Sequence, residues 1–174
     1  MAIITYPTHS LTRIFPQGEA PARVDRFTAL RNEPFSFQIG YTLEEEAATC
    51  FYVRVKSDLP LAMYSEKYSA VPSTANDRLS THYEPGLFPD ILIQYPVNPP
   101  LVKVNYPWMS FTYGGGNQVE MTANRDAIKA LWFTVNEDGK NLKAGDYPIT
   151  VEFYNRKDEL IGSETVTVKL LAAG

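Results

Sequence analysis

Phe35-Ser36-Phe37-Gln38-Ile39-Gly40-Tyr41-Thr42 alternates large apolar residues with small or polar ones. A period of two places Phe35, Phe37, Ile39 and Tyr41 on one face of an extended segment, so the stretch predicts a half-buried β-strand. The next apolar run, Cys50-Phe51-Tyr52-Val53-Arg54-Val55-Lys56, repeats the pattern, with Phe51, Val53 and Val55 on one side and Tyr52, Arg54 and Lys56 on the other. Between the two, Glu44-Glu45-Glu46-Ala47-Ala48 reads as a solvated acidic connection.

Further strands are predicted at 61–71, ended by Pro72, at 128–135, at 147–155 and at 160–171, with a weaker segment at 23–30. That makes about seven or eight strands in all. The last two strong segments flank the polar turn Asn155-Arg156-Lys157-Asp158-Glu159 and form a long hairpin. Asn136-Glu137-Asp138-Gly139-Lys140-Asn141 is a second turn, with Gly139 placed for a positive φ. The expected fold is all-β, a two-sheet antiparallel β-sandwich of immunoglobulin-like or jelly-roll-like type. Its core is expected to hold Phe35, Phe37, Phe51, Val53, Trp132, Phe133, Phe153 and Val168.

Composition agrees with this class. Eleven Tyr, nine Phe and two Trp beside thirteen Pro and ten Gly favour short strands and many turns. A length of 174 residues suits one domain, taken as 1–174. Sixteen basic against twenty acidic residues give a net charge of -4, with no basic excess to neutralise a phosphate backbone or an anionic lipid surface. Neither nucleic acid nor membrane is expected as a partner, and no run of about 18 apolar residues is present to span a bilayer. The opening Met1-Ala2-Ile3-Ile4-Thr5-Tyr6-Pro7 lacks the basic and long apolar regions of a signal peptide, so the expected location is cytoplasmic if Met1 is the natural start.

From Ser73 to Gly116 the sequence carries Pro85, Pro89, Pro96, Pro99, Pro100 and Pro107, then Gly114-Gly115-Gly116. A central ladder strand does not tolerate such a run, so this stretch is expected to be mostly surface loop. Its aromatic residues are the candidates for a site. Tyr83, Phe88 and Tyr95 precede Tyr106, Trp108, Phe111 and Tyr113, and rings on long loops can stack on sugars, anchor a protein surface or fold back as caps. The site candidates, for ligand or domain interface, are Tyr83, Tyr95, Tyr106, Trp108 and Tyr113.

Catalytic and metal chemistry find little support. His9 and His82 are far apart with no carboxylate or thiol at ligand spacing, and Cys50, the single cysteine, sits within a strand where a small buried side chain is expected. Asp158-Glu159 is an adjacent carboxylate pair, yet a solvated turn does not converge two carboxyls on a substrate. No cofactor, no metal site and no catalytic residue is expected in this chain.

Four patterns in order carry a resemblance: Ala29-Leu30-Arg31-Asn32-Glu33-Pro34-Phe35-Ser36-Phe37-Gln38, Gly86-Leu87-Phe88-Pro89-Asp90-Ile91-Leu92, Ala130-Leu131-Trp132-Phe133-Thr134-Val135 and Ala144-Gly145-Asp146-Tyr147-Pro148-Ile149-Thr150-Val151. Together they resemble the N-terminal β-sandwich domain of bacterial proteins related to glycoside hydrolase family 123. Two features depart from that pattern: Asn136 stands where the family often has a proline, and Gly114 to Gly116 has no counterpart.

The resemblance implies that a (β/α)-barrel with a catalytic Asp-Glu pair would begin where this chain reaches Ala172-Ala173-Gly174. This chain would then be the N-terminal part of a longer protein, an accessory domain packing on a catalytic barrel and not itself an enzyme. The alternatives are a free-standing carbohydrate-binding module and a structural or adhesive sandwich without ligand. Two local expectations accompany the match. Arg31-Asn32-Glu33 should satisfy strand-end groups, and Tyr147 after Gly145 should send its hydroxyl to a backbone partner as a tyrosine corner does.

Overall fold

The computed structural model of the protein describes residues 2–71, 86–95, 97 and 121–172. Among these, ten strands form two five-stranded sheets and there is no helix. The strands are β1 (Ile3–His9), β2 (Arg26–Leu30), β3 (Phe35–Leu43), β4 (Ala48–Lys56), β5 (Leu61–Val71), β6 (Gly86–Tyr95), β7 (Met121–Asn124), β8 (Lys129–Val135), β9 (Gly145–Asn155) and β10 (Leu160–Leu171). One sheet runs β1-β3-β8-β5-β6 and the other β2-β10-β9-β4-β7. All pairings are antiparallel except β10 with β2, which is parallel, so the expected purely antiparallel sandwich carries one exception.

The sheets face each other across one core. Phe27 of β2 stacks on Phe37 of β3, Phe37 on Phe133 of β8, and Tyr41 of β3 meets Phe51 of β4 edge-on at 5.0 Å. Phe37, Phe51, Val53, Phe133, Phe153 and Val168 have no exposed surface, as their alternation predicts, while Phe35 packs against this cluster from its margin. Trp132 departs from expectation: Leu131, Phe133 and Val135 take the inward positions of β8, so Trp132 lies half-buried on the outer face. There it is flanked by Gln38 and Tyr64, and its indole Nε1 donates to Thr134 Oγ1 at 3.1 Å.

Strand β3 also differs from a half-buried strand, because Gln38, Gly40 and Thr42 on its outer face are buried as well. The segment after β1 covers Gln38 and Gly40, while the Thr42 hydroxyl donates to the carbonyls of Asn124 and Arg125 at 2.8 and 3.2 Å. Ile14, 1% exposed, lies over Gly40, and the Gln38 side-chain amide donates to the carbonyls of His9, Ser10 and Thr12 at 3.1, 3.1 and 2.8 Å.

Within 73–116, expected to be mostly loop, Gly86–Tyr95 form β6, a ten-residue strand that the expectation did not include; apart from it and Val97 the span lies outside the described residues. Pro89 is admitted because β6 is an edge strand and because the β5–β6 register shifts between Lys67 and Tyr68, pairing Lys67 with Ile91 and Tyr68 with Pro89. An edge strand needs no donor on its open side, and a bulge relieves the ladder locally. Strands β1 and β7 are further additions to the predicted set, β1 being an edge strand that likewise carries a proline, Pro7.

The two local turn expectations hold. Gly139 has φ +62°, and the Tyr147 hydroxyl donates to the Lys143 carbonyl at 2.7 Å. At the strand entrance, Arg31 N donates to Leu171 O at 3.1 Å and Glu33 N to Leu30 O at 3.3 Å.

Candidate functional site

Of the aromatic candidates, only Tyr95 and Phe88 fall among the described residues; Tyr83, Tyr106, Trp108, Phe111 and Tyr113 lie outside them. Tyr95 ends β6 opposite Met63 and packs against the core. Phe88 is half-buried on the same strand and meets Phe15 edge-on at 5.7 Å. Nearby Leu87, Ile91 and Leu92 remain 48%, 47% and 43% exposed, so the β6 margin carries more exposed apolar surface than the rest of the described sheet.

His9 is exposed, with its ring edge-on to Phe27, and His82 lies outside the described residues. Cys50 is half-buried in β4 opposite Thr122, less enclosed than its sequence context predicts. Asp158 and Glu159 sit in the β9–β10 turn as expected and are engaged there. Asp158 accepts the Tyr52 hydroxyl, and Glu159 accepts the Asn155 amide at 2.7 Å. Among the described residues, no cluster of three or more His, Cys, Asp or Glu could hold a metal ion.

The sequence reading passed over a polar and aromatic ladder on the outer face of the second sheet. Alternation sends Tyr52, Arg54 and Lys56 of β4 outward, and the β4–β9 register sets them opposite Tyr154, Glu152 and Thr150. The Tyr52 and Tyr154 rings stack at 5.6 Å with 12° between planes, and the Arg54 guanidinium stands 4.5 Å from the Tyr154 centroid. Lys56 Nζ bonds Glu152 at 2.7 Å, and the Tyr154 hydroxyl donates to the other oxygen of the same carboxylate.

The ladder's titrations follow from these contacts. Burial, then the hydrogen bond to Asp158, pushes the Tyr52 hydroxyl up to about 12. The bonds from Lys56 and then Tyr154 hold Glu152 below the usual carboxylate range. A hollow of about 380 Å³ adjoins this face, lined by Ala48, Cys50, Thr122, Asn155, Arg156 and Lys157 among others. The signal was present in the outward positions of the two strands, but each strand alone reads only as a solvated face. Their opposition exists only in the paired sheet.

No protein-family model matches the chain, and no curated protein matches it in sequence. Among solved structures, a family 123 glycoside hydrolase from Clostridium perfringens, studied for its hydrolysis of glycolipid glycans, aligns with 99% of this chain at a TM-score of 0.64 and 10% identity. The chain spans 28% of the length of that hydrolase. The N-terminal domain of PorA aligns over 98% of this chain and 100% of its own at a TM-score of 0.40 and 6% identity. A PapD-like domain of human CEP192 aligns over 87% of this chain and 84% of its own at 0.37 and 11%. The first likeness is one of fold: this is an all-β domain of a shape that also occurs as a portion of a larger enzyme.

Proposed function

We propose that the chain is a non-catalytic accessory β-sandwich domain of a larger, carbohydrate-active, glycoside hydrolase-like bacterial protein, where it packs against a catalytic barrel of the same polypeptide. One observation carries this reading: nearly the whole chain follows the fold of a portion, 28% in length, of a family 123 glycoside hydrolase. The four resembling sequence patterns support it, falling on the β2–β3 crossing, β6, β8 and β9. In this reading Tyr83, Tyr95, Tyr106, Trp108 and Tyr113 serve the domain interface or a substrate cleft. Expressing this domain and the remainder of its reading frame as separate pieces tests the docking. Co-elution of the mixed pieces on gel filtration is expected; independent elution at concentrations of tens of micromolar would overturn it.

A second reading, a free-standing carbohydrate-binding module, draws on the solvent-facing ladder of Tyr52, Arg54, Glu152 and Tyr154, since aromatic rings beside charged hydrogen-bonding groups suit sugar faces and hydroxyls. Calorimetry of the domain against a panel of glycans tests it, and a flat response throughout would rule it out.

A further inference from the structure

The outer face of the first sheet carries a row of side chains that crosses four strands. The pairings set Gln38 of β3 opposite Trp132 of β8, Trp132 opposite Tyr64 of β5, and Tyr64 opposite Gln94 of β6. Adjacent strands lie about 5 Å apart, so the indole and the phenol stand side by side between two amides. Gln38 is buried, Trp132 and Tyr64 are half-buried and Gln94 is exposed, so the row opens toward β6. Leu92, on the same face of β6, is 43% exposed and extends the apolar surface.

Both rings are held by their polar atoms. Trp132 Nε1 donates to Thr134 Oγ1 at 3.1 Å, that hydroxyl shares a hydrogen bond with Ser36 at 3.0 Å, and the Tyr64 hydroxyl donates to Glu137 Oε1 at 2.5 Å. Neither ring meets another ring among the described residues. The tyrosine ladder of the second sheet differs, because there Tyr52 and Tyr154 stack on each other. At the Glu137 end, a hollow of about 130 Å³ is lined by Pro60, Leu61, Ala62, Asn136, Glu137 and Asp138. Glu137 and Asp138 are its charged groups, and Lys140 pairs with Asp138 at 2.9 Å.

An aromatic ring whose polar atom is already bonded within the protein offers an oriented apolar surface, and little freedom is left to lose on binding. Ring faces are negative in quadrupole and attract positively polarised C–H groups. Beside them, the Gln94 amide can donate and accept, and the Glu137 carboxylate can accept from hydroxyls. No cation lines the row or the hollow, and Glu137 repels an anion. An uncharged ligand with a C–H face and a rim of hydroxyls meets all of these conditions, and a pyranose sugar has that chemistry.

We propose that Trp132, Tyr64, Gln94 and Glu137 form a binding platform for a neutral oligosaccharide, with a sugar ring on the two aromatic rings and its hydroxyls on Gln94 and Glu137. The inference shares its class of ligand with the second reading above and assigns it to the opposite sheet, so the two fail separately. It holds whether or not the domain docks on a barrel.

The test is a titration of the isotopically labelled chain with maltohexaose, cellohexaose, N-acetylchitohexaose and, as the competing class, a decaproline peptide, followed by amide and indole chemical shifts. At least one oligosaccharide is expected to give saturable shifts centred on Trp132, Tyr64 and Gln94. Its Kd should rise about tenfold or more in Trp132→Leu, which keeps apolar cover but removes the ring, while Tyr64→Phe keeps binding within about threefold because the ring remains. Gln94→Ala is the second variant, at an exposed position, and should weaken binding about threefold or more through the lost amide. Shifts centred instead on Tyr52 and Tyr154 would favour the second reading and overturn this one. Saturation by decaproline alone, no saturable shift with any oligosaccharide, or an affinity unchanged in both Trp132→Leu and Gln94→Ala would overturn it as well.

Discussion

Arg23 grips Glu164 with both guanidinium nitrogens, at 2.9 and 2.5 Å, and the Glu164 side chain is only 5% exposed. Thr5 of β1 donates to the same carboxylate at 2.7 Å, so a residue of β10 in one sheet is tied to the edge strand of the other. The Glu164 hydrogen bond, before any other influence, raises the proton affinity of Arg23. Arg23→Met should cost about 1 to 3 kcal/mol, because it leaves a nearly buried carboxylate without its cation while the half-exposed arginine keeps part of its contribution screened. Adding Glu164→Leu to Arg23→Met should recover part of that loss. Equal melts for wild type and Arg23→Met would show that the pair contributes nothing.

Phe133 and Trp132 are neighbours on β8 with opposite roles. Phe133→Ala opens a void between Phe37 and Met63 and should cost about 3 to 5 kcal/mol, lowering the melting temperature by roughly 10 °C. Trp132→Ala removes an outer-face contact and should cost about 1 to 2 kcal/mol. Thermal melts of the two variants decide the assignment, and a larger loss for Trp132→Ala would reverse it.

Glu66 is 9% exposed, its Oε2 has no hydrogen-bond partner, and burial pushes its carboxyl from 4.5 up to about 7. Tyr68 is the titratable neighbour that feels its charge. Between those two values the folded protein holds a proton that the unfolded chain has released, so this group's contribution is complete below 4.5 and is lost as pH rises through about 7. Glu66→Gln should therefore flatten the fall in stability between about pH 5 and 8 and raise the melt at pH 8 by the equivalent of about 1 to 3 kcal/mol. A wild-type melt that does not fall over that interval would refute it.

Gly162 lies where β10 passes β1, and a Cβ there would meet Ile3 Cγ2 at 2.9 Å and the Ile3 carbonyl oxygen at 3.2 Å. The side-chain contact can shift, whereas the backbone oxygen cannot move without disturbing the β1–β3 pairing. Gly162→Ala should cost about 1 to 3 kcal/mol despite alanine's lower chain entropy. A more stable variant would mean that the edge strand adjusts freely.

Much of the fold was legible because alternation survives wherever one face of a strand meets the core. Phe37, Phe51, Val53 and Phe153 were readable on that ground, as were the Gly139 turn and the Tyr147 hydroxyl bond. Trp132 was misread because size and apolarity were weighed above parity, and parity decides which face a side chain takes. Strand β6 was hidden by Pro89, whose usual prohibition lapses at an edge with a bulge. Burial of both faces of β3 depends on the segment carrying Ile14 and on three carbonyls gathered by Gln38, contacts between positions with no shared local pattern. The tyrosine ladder was invisible for the same reason: it is made by register between distant strands.

The central claim, that this is an accessory domain without chemistry of its own, is tested most directly by N-acetylhexosaminide hydrolysis. The 174-residue chain and the product of the full reading frame that encodes it would be purified and assayed side by side. The account predicts a short form that melts cooperatively and turns over nothing, and a long form that hydrolyses the substrate. Turnover by the short form, or a reading frame that encodes no further domain, would contradict it.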